Sequence, residues 1–236
     1  MKFTFVTLFG ELIYPYFDAS ILSRAKEEGI IEVECVNPRD FSLDKHKKVD
    51  DYKAGGGAGL LMSPQPLFDT LKNIARKDSD AYFVFPQPAA KSFTQQDAKR
   101  LAEKKHIVFV CGRYEGIDER VIESWADELF STGDFVLTGG ELSALCMCDA
   151  VSRMIKDVLG NEESLLEESF ENFSLEAPSF TKPNIYDKSA VPSDFLKGNH
   201  AIISGLKNRM AHAKTCFHRP KLEKKVKTYK RKSYEK

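Results

Sequence analysis

The chain has 236 residues, 42% of them hydrophobic and 30% charged, which suffices for one large or two modest domains with a buried core. No apolar run approaches the ~20 residues of a membrane span, and the N-terminal MKFTFVTLFGEL lacks a small-residue cleavage site. The five cysteines (Cys35, Cys111, Cys146, Cys148, Cys216) form no Cys-x-x-Cys pair, and a reducing cytoplasm is their natural compartment.

Residues 3–8 alternate into a first strand, and residues 12–28 carry a helical pattern that Gly29 stops. A second strand follows at 31–36, which is the strand–helix–strand rhythm of an α/β fold. A polar loop at 44–52 leads to Gly55-Gly56-Gly57-Ala58-Gly59. This run is neither a Walker loop nor a Gly-x-Gly-x-x-Gly fingerprint, which argues against an NTPase and a nicotinamide enzyme. Each glycine costs ~1 kcal/mol or more to order, so the loop makes most sense where a flat base lies on bare backbone. A mobile surface loop is the plain alternative.

A helix over 66–77 and strands at 82–85, 107–110 and 135–137 complete the sheet, with a helix capped by Thr94 between the first two. All three strands are continuously apolar, as in a parallel sheet buried on both faces, and all break into Gly or Pro turns. Such turns gather at one crevice on the carboxyl edge of an open α/β sheet. Residues 141–158 read as a helix, on which Arg153 by periodicity alone is an exposed arginine.

After Gly160 the composition changes. Residues 161–176 hold six glutamates and no Lys or Arg, the pattern of a linker that folds against a partner. From 197 to 236 there are 13 Lys/Arg against two glutamates, leaving 22 against 33 for the rest. That split suggests a basic second domain that meets a polyanion. Asn199 caps a helix whose Ile202, Ile203, Leu206 and Met210 share a face, and residues 221–236 read as a charged helix or tail. The five histidines make no zinc-spaced cluster. Unaided, these residues describe an RNA- or nucleotide-binding α/β enzyme of unstated reaction.

Taken together, NPRDF (37–41), VDD (49–51), GGGAG (55–59), CGRYEGIDERV (111–121), GDFVLTGGEL (133–142), VSR (151–153), VLG (158–160), EESF (167–170) and GNH (198–200) resemble the bacterial tRNA (guanine-N1)-methyltransferase family. That family modifies guanosine at tRNA position 37 and belongs to the knotted SPOUT class. The resemblance implies an open, mainly parallel α/β sheet with a deep trefoil knot and a small C-terminal helical domain. It divides the chain into a catalytic domain at 1–160, an acidic linker at 161–176 and a basic tRNA-binding domain at 177–236. It also implies a homodimer with active sites at the subunit interface, and S-adenosylmethionine as methyl donor.

Carried over by position, the donor site comprises Pro86, Gly112, Tyr114, Glu115, Thr132, Gly133, Asp134, Phe135, Val136, Leu137 and Gly140. Asp50 with Gly55, Gly56, Gly57 and Gly59 faces the guanine. Arg153 matches the essential arginine, and Glu168 stands where the family has an aspartate base, with Glu167 beside it as a fallback. Family members depend on magnesium, for which Glu115 is the candidate ligand. Ser143 and Pro88 depart from the usual proline and glycine at their positions. The rival expectations are a knotted methyltransferase for another RNA site and an inactive tRNA-binding homologue.

Overall fold

A computed structural model describes residues 1–161, 168–171, 173–222 and 224. It divides into two compact units, Met1–Gly160 and Asn161–Lys236.

The first unit is built on a five-stranded, wholly parallel sheet. Its strands are β1 (Lys2–Val6), β2 (Glu32–Val36), β5 (Ala81–Pro86), β6 (His106–Val110) and β7 (Glu128–Phe130), in the order β2-β1-β6-β5-β7. Alternate side chains feed two cores. Phe3, Phe5, Ile107 and Phe109 pack with Leu22 and Ala25 of α1 (Ser20–Glu27), Ala98 and Leu101 of α3 (Gln95–Leu101), and Met147 and Val151 of α5 (Glu141–Ser152). Phe83, Phe85, Val108 and Val110 pack with Leu67, Leu71 and Ile74 of α2 (Pro64–Lys77) and Val121 and Ile122 of α4 (Glu119–Trp125). Helices on both faces explain why the central strands read as unbroken apolar runs.

Several expectations are corrected. The pattern over 12–28 folds as 3-10 turns at Gly10–Leu12 and Tyr14–Phe17 followed by the short α1, because Pro15 sits where a continuous helix would need its N–H. Residues 135–137 are not a strand: Phe135 and Val136 are 55% and 82% exposed, and β7 lies instead at the more polar 128–130. The glycine run is the tip of a hairpin, with β3 (Asp50–Tyr52) antiparallel to β4 (Leu60–Met62). The helix after Gly140 ends at Ser152 with Arg153 as its C-cap. Thr94 caps α3 as expected, in a reciprocal capping box with Asp97.

In the second unit, strands β8 (Ile185–Tyr186) and β9 (Ser189–Ala190) form a small hairpin ahead of α6 (His200–His218). Asn199 caps α6 by accepting from the N–H of Ile202. Its Ile203, Leu206 and Met210 are half-buried, while Ile202 is 45% exposed and so leaves the expected apolar face. Thr215 is buried, accepting from the N–H of Leu175 at 2.9 Å and donating to the carbonyl of Ala211 at 2.7 Å.

Candidate active site

Three neighbouring parallel strands deliver their carboxyl ends side by side: β5 ends at Pro86, β6 runs into Cys111 and Gly112, and β7 ends at Phe130. Residues 131–140 then cross from β7 to α5. The crossing is anchored at its end, where the N–H of Gly140 donates to the carbonyl of Gly112 at 2.8 Å. A Cβ on Gly140 would sit 2.9 Å from both Cys111 Cα and Gly112 N, so this backbone-on-backbone contact admits only glycine.

Between crossing and strand ends lies a cavity of about 230 Å³. Of the residues singled out from the sequence, Pro86, Gly112, Tyr114, Glu115, Thr132, Phe135, Val136, Leu137 and Gly140 line it. Gly133 and Asp134 form the turn of the crossing and do not line the cavity. Gln87, Pro88, Arg113, Phe130, Ser131 and Ser143 also contribute to the lining. Ser143 pairs its hydroxyl with that of Thr132 at 3.1 Å. Tyr114 holds a left-handed φ of 57°, a costly conformation for a residue with a side chain, in a turn closed by Gly116 N–H to the Arg113 carbonyl. Burial in the core pushes the Cys111 thiol well above its usual range, so this sulfur beside Gly112 is not a nucleophile.

Arg113 was not legible as special. Its guanidinium reaches Oε1 of Glu141 at 3.1 Å and Oε2 at 2.9 Å, and stacks over the Phe9 ring at 4.5 Å. Glu141 is only 3% exposed, and its Oε1 also accepts from Thr7.

The glycine hairpin stands beside this cavity. Gly55, Gly56 and Gly57 have φ of +91°, +86° and +110°, and a Cβ on any of them would meet nothing within 4 Å. The tip is therefore bare and left-handed, a conformation in which only glycine is unstrained. Asp50 lies at the start of β3, half-buried. Gly59 packs on Glu115, whose N–H donates to the Leu60 carbonyl at 3.0 Å.

Arg153 is half-buried at the far end of α5 from the cavity. Glu168 lies in the second unit, half-buried, its carbonyl accepting from the N–H of Glu171 at 3.3 Å. Glu167 and the lysine-rich end at 225–236 fall outside the described residues.

As a magnesium ligand Glu115 fits poorly. Its Oε2 is held at 3.2 Å by the Lys53 ammonium, and the described residues contain no group of three His, Cys, Asp or Glu side chains able to hold a metal ion.

A parallel sheet that opens a glycine-floored cavity at its strands' carboxyl ends defines a ligand-binding α/β domain of the nucleotide-handling kind. More specifically, the chain belongs to the tRNA (Guanine-1)-methyltransferase family TrmD, whose family model matches residues 1–225. It is 63% identical to a tRNA (guanine-N(1)-)-methyltransferase of Campylobacter curvus over 236 residues, covering all of both chains. It is 59% identical over 228 residues to the protein of that name from Sulfurimonas denitrificans, covering 97% of this chain and 99% of the relative. A Campylobacter jejuni relative of the same name is 58% identical over 226 residues, covering 94% and 97%.

Proposed function

We propose that this protein transfers the methyl group of S-adenosylmethionine to N1 of guanosine at position 37 of tRNA, as a homodimer in the cytoplasm. The observation that carries the reading is the meeting of Gly112, Tyr114, Glu115, Thr132, Phe135, Val136, Leu137 and Gly140 around one cavity, in a chain of this family. Bare backbone at Gly112 and Gly140 and the apolar wall of Phe135, Val136 and Leu137 suit a flat adenosyl group with polar edges. When bound there, S-adenosylmethionine supplies an electrophilic methyl on a sulfonium. The trefoil knot of the family's class fits the path of residues 131–140 across the strand ends.

Guanine N1 carries a proton and is a poor nucleophile until that proton leaves. The Glu168 carboxylate, one methylene longer than the aspartate it replaces, takes it as general base. Arg153 stabilises the charge that spreads to O6. As the N1–carbon bond forms, the sulfur–carbon bond breaks and the proton rests on Glu168. Asp50 and the hairpin of Gly55, Gly56, Gly57 and Gly59 hold the guanine against bare backbone. The cations of the second unit, with Arg39, grip the RNA backbone, which makes affinity fall with salt. Placing the base on the segment after Gly160 lets tRNA order it before transfer occurs.

The homodimer is supported by two features. Leu12, Leu137, Leu142 and Leu145 line a second cavity of about 220 Å³ at the start of α5, and Leu12, Leu142, Tyr16 and Ile21 are 42–57% exposed. Such an apolar face calls for a partner. At 1.5 Å per residue, the 12-residue α5 also sets Arg153 about 18 Å from the cavity end of the helix. An arginine from the other subunit completes the site more readily.

The test is transfer of labelled methyl from S-adenosylmethionine to a tRNA transcript with guanosine at position 37, beside the same transcript with adenosine there. Transfer to the guanosine transcript alone, abolished by Glu168→Gln, is the expected result. Equal labelling of both transcripts would sink the site assignment.

A further inference from the structure

Lys53 plays no part in the reading above, and the sequence did not single it out. Its Nζ stands 3.2 Å from Glu115 Oε2, across 62 residues of chain. Two further links meet on the same glutamate. A Cβ built on Gly59 would lie 2.4 Å from Glu115 Cγ, so the hairpin backbone rests directly on that side chain. The Glu115 N–H donates to the Leu60 carbonyl at 3.0 Å. Lys53 precedes the glycine tip, and Gly59 and Leu60 follow it, so both sides of the hairpin are gripped at one residue of the cavity wall. The tip between them touches nothing where its side chains would be.

We infer that Lys53 is a positioning residue: its ion pair with Glu115 sets the glycine hairpin against the cavity wall, and so sets where the target base lies relative to the methyl donor. The inference rests on the assignment of the cavity to the donor and the hairpin to the guanine. Lys53 and Glu115 are 30% and 53% exposed, and ion pairs this open to solvent add little to stability. A purely structural role would therefore leave almost no trace. A role in aligning two substrates is different, because misplacement of reacting atoms by an ångström slows the chemical step without weakening either ligand's binding.

The experiment compares the full-length protein with Lys53→Met and Lys53→Arg. It measures kcat and KM for the tRNA transcript, the Kd of S-adenosylmethionine without RNA, and amide exchange across residues 54–60. For Lys53→Met we expect kcat to fall about tenfold, donor Kd to stay within twofold, and exchange to rise in the hairpin but not in β1, β5 or β6. Lys53→Arg should recover most of the rate. An unchanged kcat in Lys53→Met overturns the inference. So does a defect wholly in KM with a salt slope reduced by about one, which marks a phosphate contact instead. A wild-type protein that labels no tRNA would end the methyltransferase reading, and unaltered hairpin exchange in Lys53→Met would then dispose of the clasp as well.

Discussion

The hydroxyl of Thr7 donates a 2.7 Å hydrogen bond to Oε1 of Glu141, 134 residues further along the chain. Thr7 directly follows β1, and Glu141 opens α5. The Arg113 guanidinium, on the loop leaving β6, closes on the same carboxylate, so one buried anion pins three segments around the cavity. Glu141 is also the first residue after the Gly140–Gly112 contact, so fixing it fixes the end of the crossing.

Removing one partner of a buried ion pair leaves the other charge uncompensated, at a cost of about 3–5 kcal/mol. Glu141→Ala should therefore lower Tm by on the order of 10 °C in a protein of this size. Thr7→Val, which loses one hydrogen bond to a charged group, should cost about 1.5–3 kcal/mol. Scanning calorimetry of the two variants checks both figures, and a Glu141→Ala shift of less than a degree would show that the carboxylate pins nothing.

Gly140 tests the cavity more directly. An alanine methyl there would sit 2.9 Å from the Cys111 and Gly112 backbone and push the crossing off the strand ends. Gly140→Ala should weaken S-adenosylmethionine binding at least tenfold, about 1.4 kcal/mol or more, as read by titration calorimetry. Gly160→Ala is the control, since a Cβ at Gly160 would meet nothing within 4 Å.

The parallel sheet was legible because β5 and β6 are continuously apolar strands packed on both faces, and β1 shows a short alternation of its own. The crossing was not. Phe135, Val136 and Leu137 have a strand's composition, yet they stand as a solvent-facing wall, and apolarity alone does not separate a core strand from a ligand wall. β7 went unseen for the opposite reason, since Glu128 is an edge residue whose carboxylate gathers Arg100, Lys91 and the Tyr82 hydroxyl. The donor-site residues came from resemblance rather than from period or spacing, and Gly133 and Asp134 within that run lie off the cavity lining. Lys53 and Arg113 act through contacts 62 and 28 residues away, which no local pattern encodes.

His106 makes a prediction about pH. It is 2% exposed, with Nδ1 2.8 Å from Asp78 Oδ2 and Nε2 2.9 Å from the Thr4 hydroxyl. Burial lowers its pKa, and although Asp78 pulls the other way, burial prevails. The folded protein thus favours the neutral ring, and protonation favours the unfolded chain. Stability from this site is complete above the unfolded histidine pKa of ~6.5 and is lost as pH falls below it toward the folded value. Urea midpoints at pH 7.5 and 5.5 should differ, with the lower stability at pH 5.5, and His106→Asn should narrow that difference. An undiminished gap in the variant would move the pH sensitivity elsewhere.

The placement of Arg153 is best decided by mixing subunits. The length of α5 sets this arginine about 18 Å from the cavity end of its own helix, so in the proposed dimer it serves the partner's cavity. Arg153→Ala and Gly140→Val homodimers should each be inactive, for different reasons. In a mixed dimer the Arg153→Ala chain keeps an intact cavity and receives its arginine from the Gly140→Val chain, so one site in that dimer works. Unfolding and refolding the two variants together should return roughly a quarter of the wild-type rate, because half the dimers are mixed and each has one working site. Were Arg153 to serve its own chain's cavity, every site in the mixture would lack either the arginine or the cavity, and no activity would return.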